Sequence, residues 1–403
     1  MKIVLIADAF PPMKTSGAVQ IRDLVTELSK QGHLITVLLP DSTLEKSWQI
    51  DVEGNTTVLR LKAPVIKDVA YYKRAIGEYL LSYFIFKNLK QSPLKNTKWE
   101  GIIWYSPSIF FGPLVKKIKA QSECRSYLIL RDIFPEWAVD MGLLSRGFIY
   151  RYFKKFEKFQ YIQADTVGVQ TPSNLDYFHR EYKDFNGVVE VLNNWLSVSS
   201  QTNCSIKIKE TKLAGRKIFV YTGNIGIAQG MDILIDLANE LREDKNIGFV
   251  FVGRGSAIEQ IKKRAQDYRL ENILFYDEIN SNEIPGLLAQ CDVGLVALDP
   301  RHRNDNIPGK FLSYMQSGLP VLANINAGND LETVIIDNQV GKVVTDNSLP
   351  KLTELAKSLL KDVQTDSSTT DRCKELSASA FSTETAAKQI VQSLTKQPDS
   401  FFK

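Results

Sequence analysis

Short apolar runs alternate with amphipathic stretches from the first residues of the chain onward. Ile3 to Ala7 is a continuous apolar run, typical of a strand buried on both faces of a parallel sheet. The segment from Phe10 to Ala18 predicts a loop. Val19 to Lys30 has the period of an amphipathic helix that ends near Gly32, and His33 to Leu39 predicts the next strand. This strand-helix-strand order indicates a parallel sheet.

The same alternation continues through both halves of the chain, with a polar break between them. In the first half it predicts strands at Thr57–Leu61, Gly101–Tyr105, Ser126–Leu130 and Thr166–Val169, and a short strand from Val188. Around residues 196–214 a stretch rich in Ser, Thr and Lys predicts a domain boundary. In the second half it predicts strands at 218–222, 248–253, 272–276, 293–297, 320–323 and 341–344, and helices at 231–243, 257–268, 282–289, 309–317 and 330–337.

We therefore predict an α/β protein with two doubly wound domains in tandem. Residues 1–195 are expected to form an N-terminal Rossmann-like domain and residues 196–380 a C-terminal one. A helix within residues 381–403 is expected to cross back to the N-terminal domain. Ligands bind outside the carboxyl ends of the strands in such sheets, and pockets favour domain interfaces. The two domains are thus expected to face an interdomain cleft that holds the site.

The stretch from Ile218 to Gly230 carries the first candidate for ligand binding. Five β-favouring residues run into Gly223, Gly226 and Gly230, and an apolar-periodic stretch follows from Met231. Glycines at a strand-to-helix turn let backbone N–H groups approach an anion, and the first helical turn adds about half a positive charge. The pattern favours a phosphate ligand, although any α/β protein uses glycines between a strand and a helix.

Composition narrows the class of protein. The chain has 403 residues, of which 44% are hydrophobic and 24% charged, as in a globular protein of two or three domains. A net charge of +4 is too mild to indicate nucleic acid by itself. The four cysteines are far apart, which indicates reduced thiols in a cytosolic protein. No window approaches the ~20 apolar residues that span a bilayer, so we expect a soluble or peripheral protein.

Several segments together resemble a known enzyme family. Gly223–Gly226, Gly253–Gly255 and Pro308–Val321 resemble the donor-binding half of family 4 retaining glycosyltransferases. The loop from Phe10 to Gly17 and the segment Leu130–Glu136 resemble the acceptor half. The chain most resembles bacterial members that add N-acetylfucosamine or similar amino sugars in O-antigen and capsule assembly. The resemblance implies a GT-B architecture, a nucleotide-sugar donor, and no required metal or other cofactor.

Two donor-binding positions of that family are changed in this chain. Many members carry an Arg shortly after the first glycine turn and a Lys before the helix glycine, and both bind the donor diphosphate. Asn224 and Gln229 stand at these positions here. The predicted diphosphate ligands are therefore the backbone N–H groups of residues 223–226 and the cations Arg254 and Lys310. The alternative for Lys310 is a solvated lysine at the start of a helix.

Many members also carry two glutamates separated by seven residues, the first near the transferred sugar and the second on the ribose. By spacing, Asp305 and Ser313 fall on these positions. A serine holds a ribose diol less firmly than a carboxylate does, which weakens the prediction of ribose binding. Asp305 is the candidate nucleophile for a double displacement. A same-face mechanism through a short-lived ion pair is the more usual proposal for the family, and the sequence does not choose between them.

Acceptor chemistry is predicted where an apolar strand ends at Asp132. Strand ends at the ligand face of such sheets are enriched in site residues. Asp132 is predicted to orient or deprotonate the acceptor hydroxyl, or to contact the sugar, and the alternative is an N-cap of the following turn. Arg131 is its predicted ion partner, Glu136 is the reserve candidate, and Gly17 ends the acceptor loop.

Two stretches, residues 70–90 and 146–161, combine aromatic and basic side chains. In the second stretch Phe148, Tyr152 and Phe156 follow helical spacing, with lysines between them. Such helices lie in anionic membrane interfaces. The alternative is an ordinary helix whose aromatic residues face the core and whose lysines are solvated. A lipid-linked acceptor would explain a contact with the membrane.

The residues and the resemblance together predict a bacterial glycosyltransferase. The expected donor is a UDP-sugar that carries an N-acetylated deoxyhexosamine, and the expected acceptor is a polyprenyl-diphosphate-linked saccharide of a surface polysaccharide. We expect a cytoplasmic protein, peripheral on the inner face of the cell membrane, without a nucleic-acid partner. Two alternatives stay open. One is a UDP-sugar 2-epimerase of the same fold, in which a carboxylate pair handles ring protons, and the other is a catalytically silent subunit that binds the nucleotide or lipid only.

Overall fold

The chain divides into two compact units. The computed structural model describes residues 1–13, 15–66, 69–198, 203–299 and 307–396, without the side chains of residues 71, 72 and 75. The first unit comprises Met1–Asn193 together with the segment that begins at Thr383, and the second comprises Asn194–Ser382. Each unit is built on its own, mainly parallel sheet with helices between the strands. The predicted pair of doubly wound α/β units is therefore confirmed.

The first unit alternates strands and helices as predicted. Its elements are β1 (Lys2–Ile6), α1 (Ser16–Lys30), β2 (Leu34–Asp41), β3 (Trp48–Glu53), β4 (Thr56–Lys62), α2 (Tyr71–Leu89), β5 (Gly101–Tyr105), α3 (Gly112–Ser122), β6 (Arg125–Ile129), α4 (Glu136–Asp140), α5 (Phe148–Ile162), β7 (Thr166–Val169), α6 (Pro172–Glu181) and β8 (Val188–Val191). Within the described residues these strands form one sheet in the order β3-β4-β2-β1-β5-β6-β7-β8.

One antiparallel hairpin in this sheet was not predicted. β3 pairs antiparallel with β4, whereas the other described strand pairs of the sheet are parallel. Gly54, at φ +56°, lies in the turn between the two strands. β3 is an edge strand whose side chains are mostly exposed. It therefore lacks the continuous apolar run that marks a strand buried on both faces.

α1 begins earlier than predicted, which changes the position of Gly17. The loop was expected to reach Ala18, but the helix starts at Ser16. Thr15 is its N-cap, because the Thr15 hydroxyl accepts a hydrogen bond from the Ala18 N–H at 3.4 Å. Gly17 thus lies in the first turn of a helix and not in a loop, and its predicted role toward the acceptor stays a prediction.

The second unit repeats the alternation with six strands among its described residues. Its elements are β9 (Lys217–Thr222), α7 (Asp232–Glu240), β10 (Ile247–Val252), α8 (Ile258–Asp267), β11 (Ile273–Tyr276), α9 (Ile284–Leu288), β12 (Val293–Ala297), α10 (Gly309–Gln316), β13 (Val321–Asn324), α11 (Asp330–Asp337), β14 (Gly341–Val344), α12 (Leu349–Thr365) and α13 (Thr369–Ala380); α14 (Thr383–Thr395) follows. The strand order is β11-β10-β9-β12-β13-β14. None of the helices in the described ranges has the length and apolarity to cross a membrane.

Both faces of the second sheet are covered by apolar side chains. Phe219 and Phe249 point to one face and stack with their ring centroids 5.2 Å apart, and both side chains are fully buried. Val220 and Val250, the next residues along the same strands, are buried in the apolar cluster of the opposite face. Burial on both faces explains why these strands read as continuous apolar runs.

α14 belongs to the first unit, although it follows the second unit in sequence. Gln389 donates hydrogen bonds to the Val191 carbonyl at 2.9 Å and to Glu190 Oε1 at 3.0 Å. The Leu394 side chain packs on Gly101 of β5, where a Cβ would approach Leu394 Cδ1 to 2.9 Å. The helix thus covers one face of the first sheet.

The strand order of each sheet reverses at one point. In the second unit β9 lies between β10 and β12, and in the first unit β1 lies between β2 and β5. Ligands of open α/β sheets bind at such switch points, outside the carboxyl ends of the strands. The residues that follow β9 and β12, and those that follow β1, β5 and β6, are therefore where each unit is expected to bind a ligand.

Candidate functional site

Two glycine turns interlock at the switch point of the second unit. The Gly223 N–H donates to the Val252 carbonyl and the Ile225 N–H to the Arg254 carbonyl, both at 2.9 Å. A Cβ on Gly253 would lie 1.9 Å from the Gly223 carbonyl oxygen, and one on Gly255 would lie 2.2 Å from the Ile225 oxygen. These contacts leave no room for a side chain, so both positions require glycine.

Three backbone amides of the first turn already have hydrogen-bond partners inside the protein. The N–H groups of Gly223 and Ile225 bond to the neighbouring turn, and the Gly226 N–H donates to Gln229 Oε1 at 2.9 Å. Asn224 Nδ2 donates to the same Gln229 oxygen at 3.1 Å. These three amides therefore have partners inside the protein in this conformation, and phosphate binding by the N–H groups of residues 223–226 stays a prediction. The Gln229 side chain therefore connects Asn224 and Gly226 within the turn.

The start of α7 carries a negative charge of its own. Gly230, at φ +55°, separates a short 3-10 turn from the helix, and Asp232 places a carboxylate in the first helical turn. Gly230 is required there, because a Cβ would lie 3.0 Å from Cα of Asp299, the second residue after β12. The carboxylate of Asp232 thus offsets part of the positive charge that the N-terminus of α7 is predicted to supply.

Lys310 is the cation that lies against the glycine turn. Its Nζ is 4.5 Å from the centroid of the Tyr221 ring, and a Cβ on Gly223 would lie 3.8 Å from Lys310 Cε. Partial burial removes water from the ammonium group and lowers the pKa of Lys310 to about 8. Within the described ranges no carboxylate lies within ion-pair distance of it. Lys310 thus presents an uncompensated positive charge where an anionic ligand would sit.

Tyr314 fixes the helix that carries Lys310, and the sequence analysis missed it. The Tyr314 hydroxyl accepts the Thr222 N–H at 3.1 Å and lies 3.2 Å from the carbonyl oxygens of Val220 and Leu295. Gly294 makes room for the ring, since a Cβ there would approach it to 2.4 Å. Tyr314 therefore ties α10 to both strands of the switch point. Its sequence signal was a tyrosine on the buried face of an otherwise apolar helix.

The side chains of the other predicted donor-binding residues make fewer interactions. Arg254 is mostly exposed and pairs with Glu278, with Nε and Oε2 2.8 Å apart. The Ser313 hydroxyl lies 3.5 Å from the Gly309 carbonyl one helical turn earlier. Asp305 lies outside the described residues. In the parts of the chain that are described, no group of three His, Cys, Asp or Glu side chains could hold a metal ion.

Arg131 and Asp132 follow β6 near the switch point of the first unit. Arg131 is buried and donates from Nη1 to the Leu192 carbonyl at 2.7 Å and from Nη2 to the Asn193 carbonyl at 3.3 Å. Burial raises the pKa of Asp132, and the positive charge of Arg131 partly opposes this rise. Pro135 occupies the N-cap of α4, so Asp132 does not cap that helix. Asp132 is thus a desolvated carboxyl group beside a fixed guanidinium.

Tyr105 connects this pair to α1, and it too was missed. The Tyr105 hydroxyl donates to Gln20 Oε1 at 3.0 Å, and its ring lies 3.6 Å from the position of a Cβ on Gly17. Burial raises the pKa of Tyr105, the charge of Arg131 lowers it, and the charges of Asp132 and Asp8 raise it further. The carboxyl ends of β1, β5 and β6 therefore share one electrostatically coupled cluster.

Glu136 is held by α5. The Tyr150 hydroxyl donates to Glu136 Oε1 at 2.6 Å, and Lys154 Nζ lies 3.1 Å from the same oxygen. Lys154 also pairs with Glu157, which is fully buried. The carboxylate of Glu136 is thus committed to this network, which argues against the reserve role predicted for it.

Sequence relatives match both units. Residues 205–376 match the family model Glycosyl transferases group 1. The probable glycosyltransferase WbjE of Pseudomonas aeruginosa is 26% identical over 221 residues, which cover 53% of this chain and 54% of that protein. This match thus spans about half of the relative's length. The putative colanic acid biosynthesis glycosyl transferase WcaI of Escherichia coli (strain K12) is 24% identical over 339 residues, 79% of this chain and 82% of that protein.

Solved structures of GT-B glycosyltransferases share the fold over nearly the whole chain. HepE from Anabaena, solved in complex with UDP and glucose, is 13% identical, with a TM-score of 0.65 over 98% of this chain and 100% of that one. At this identity the likeness shows the fold alone. The comparisons therefore show a match of residues 205–376 to the family model Glycosyl transferases group 1 and the GT-B fold over nearly the whole chain.

Proposed function

We propose that this chain is a retaining, metal-independent glycosyltransferase that moves a sugar from a UDP donor to a lipid-linked saccharide of a surface polysaccharide. The observation that carries the proposal is Lys310, a partly buried cation on the Gly223 turn, inside the segment that matches the family. A relative named for colanic acid biosynthesis supports the polysaccharide, and a structural neighbour in complex with UDP supports the nucleotide. The transferred sugar is proposed to be an N-acetylated deoxyhexosamine, as the resemblance implies.

The charge of Lys310 suits the departure of a nucleoside diphosphate. In the transfer, the bond between the anomeric carbon and the diphosphate oxygen breaks, and the electron pair stays on the diphosphate. A cation fixed beforehand where this negative charge grows stabilises the transition state without reorganisation at the moment of reaction. Tyr314 supports this function because it anchors α10 and thereby holds Lys310 against the turn.

In the first unit, Asp132 is proposed to receive the acceptor. The hydroxyl oxygen of the acceptor forms the new bond to the anomeric carbon and loses its proton. A carboxyl group whose pKa is raised by burial lies closer to neutral pH than a solvated one, so it is a better partner for that proton. Asp132 is proposed to orient the hydroxyl or to accept the proton. The lipid-linked acceptor would place the enzyme on the cytoplasmic face of the membrane.

Nucleotide binding tests the donor half of the proposal. Titration calorimetry with UDP and GDP should show selective UDP binding that Lys310→Ala weakens. The matched control is Lys342→Ala, which removes a lysine of the same unit on β14 that pairs with Asp362. The control variant should bind UDP as the native protein does. Folded protein that binds neither nucleotide would overturn the donor assignment and favour the silent-subunit alternative.

Turnover tests the reaction itself. UDP-linked amino sugars with a lipid-linked acceptor should give a glycosylated product, and its anomeric configuration by NMR should match that of the donor. Asp132→Asn should bind UDP normally and lose most of the transfer rate. Conversion of the UDP-sugar in the absence of any acceptor would instead indicate the epimerase, and an inverted product would refute retention.

A further inference from the structure

Two helices of the first unit expose a continuous group of large apolar side chains. Ile76 and Tyr79 of α2 and Phe148, Ile149 and Tyr152 of α5 line a groove of 780 Å³ between the helices. Phe148 is 89% exposed and Ile149 62% exposed. These five residues are called the aromatic face below. Apolar side chains of this size, grouped and exposed, mark an interaction surface rather than ordinary surface scatter.

The aromatic face is not the core side of α5. The buried side chains of this helix are Glu157, Gln160 and Tyr161, and none of them belongs to the aromatic face. The alternative of an ordinary core helix holds in part for Phe156, whose ring packs on Phe110 with centroids 5.0 Å apart. It fails for Phe148 at the start of the helix.

The exposed charges beside the aromatic face are positive. Arg151, Lys155 and Lys158 follow one another at helical spacing, one step around α5 from Phe148 and Tyr152, and all three are exposed. In the described parts of the chain none of them forms an ion pair with a carboxylate. The acid of this helix is Glu157, which is buried beside Lys154 and not exposed next to the aromatic face. The surface of α5 therefore offers aromatics and cations without a compensating negative charge.

We propose that the aromatic face docks on a bilayer that contains anionic phospholipid. The aromatic and aliphatic side chains enter the boundary between headgroups and acyl chains, and Arg151, Lys155 and Lys158 lie at the level of the lipid phosphates. Charge complementarity selects this occupant over a second copy of the chain, since two such faces would bring six of these cations together.

The aromatic face is continuous with the acceptor end of the first sheet. The Phe134 ring packs on Phe153 of α5, with centroids 4.9 Å apart, and Phe134 follows Asp132 by two residues. Docking would thus hold Asp132 close to the headgroup layer, where the diphosphate of a lipid-linked acceptor lies. Bilayer binding itself does not depend on the proposed function, so either proposal can fail alone.

Vesicle binding of apolar variants tests the docking. The native protein should co-sediment with vesicles of phosphatidylglycerol and phosphatidylcholine, and Phe148→Ser with Ile149→Ser should lower the partition coefficient by at least about 10-fold. Both side chains are exposed, so the variant should fold. The matched control is Val52→Ser with Ile336→Ser, which removes two exposed apolar side chains elsewhere and should bind as the native protein does.

Charge variants test the anionic partner. Lys155→Gln with Lys158→Gln should weaken binding to the same vesicles by about 20-fold, and added salt should remove the difference between variant and native protein. The control is Lys357→Gln with Lys361→Gln, which removes two exposed lysines one turn apart on α12 and should have no effect. Vesicles of pure phosphatidylcholine should bind the native protein weakly.

Three results would overturn the proposal. The native protein could fail to bind anionic vesicles at low salt, or the control variants could lose binding as much as the aromatic and lysine variants do. The third is a native dimer in sedimentation experiments that becomes a monomer in the Phe148/Ile149 variant, since the face would then bind a second copy of the chain.

Discussion

The lowered pKa of Lys310 predicts how nucleotide affinity depends on pH. With a pKa of about 8 the ammonium group is mostly charged at pH 7 and mostly neutral at pH 9. A bound diphosphate favours the charged form, so the pKa rises on binding and affinity falls as the pH rises above 8. Between pH 7 and pH 9 the charged fraction falls about 10-fold, which weakens UDP binding by about 1.4 kcal/mol. The diphosphate itself is about nine-tenths ionised at pH 7 and more above it, because the second pKa of a phosphate group is about 6, so its own titration changes the affinity little over this range.

Three variants test whether the loss of the Lys310 charge causes the decline in UDP affinity. Titration calorimetry at pH 7, 8 and 9 should show the decline in the native protein and in a Lys342→Met control. Lys310→Arg keeps its charge throughout and should show a flat profile, and Lys310→Met should be flat and weaker at pH 7. Equal affinity of the native protein at pH 7 and pH 9, or the same decline in Lys310→Met, would refute the reasoning.

Three further predictions concern stability. Gly253→Ala should lower the free energy of unfolding, measured in urea, by more than about 3 kcal/mol, because the new Cβ would overlap the backbone of Gly223. Gly309→Ala is the control and should change it little, because the space around Gly309 is open. Equal losses in the two variants would contradict this prediction. Tyr314→Phe should lower the free energy of unfolding by about 1–3 kcal/mol, because the Thr222 N–H of β9 loses its acceptor. The variant should also bind UDP more weakly. Unchanged stability would contradict the conclusion that Tyr314 anchors α10. Burial raises the pKa of Glu157 from its usual value of 4.5 to about 7, although Lys154 lies beside it. Between these two pH values Glu157 is protonated in the folded state and ionised in the unfolded state. Stability should therefore fall by about 3 kcal/mol as the pH rises from 4.5 to 7, and Glu157→Gln should remove that slope in urea titrations; a persisting slope would exclude this group as its source.

The fold was predictable because a parallel sheet buries its strands on both faces. Gly101–Tyr105 and Val293–Ala297 are continuous apolar runs, and their bounds were predicted without error. β3 was missed because an edge strand with exposed side chains has no such run. The early start of α1 depends on a cap by Thr15, a single hydrogen bond that hydrophobic periodicity does not report.

The site was predictable only where one local segment carries it. Lys310 was predicted because it lies at a helix start within Pro308–Val321, a segment that resembles the donor-binding half of the family. Tyr314 contacts Thr222, 92 positions away, and Tyr105 contacts Gln20, 85 positions away. The local sequence around each residue therefore does not indicate these contacts. The internal partners of three amides in the Gly223 turn were not predictable for the same reason, since they come from the next turn and from the Gln229 side chain.

The position of α14 determines the order in which the chain can be completed during synthesis. The second unit, Asn194–Ser382, is one continuous stretch, and all of it leaves the ribosome before α14 does. The first unit starts earlier but lacks the helix that covers one face of its sheet until Thr383–Thr395 has been made. Domains generally fold in the order of their synthesis. Here the unit that is begun first is finished last, and its uncovered sheet must stay soluble while the whole second unit is translated.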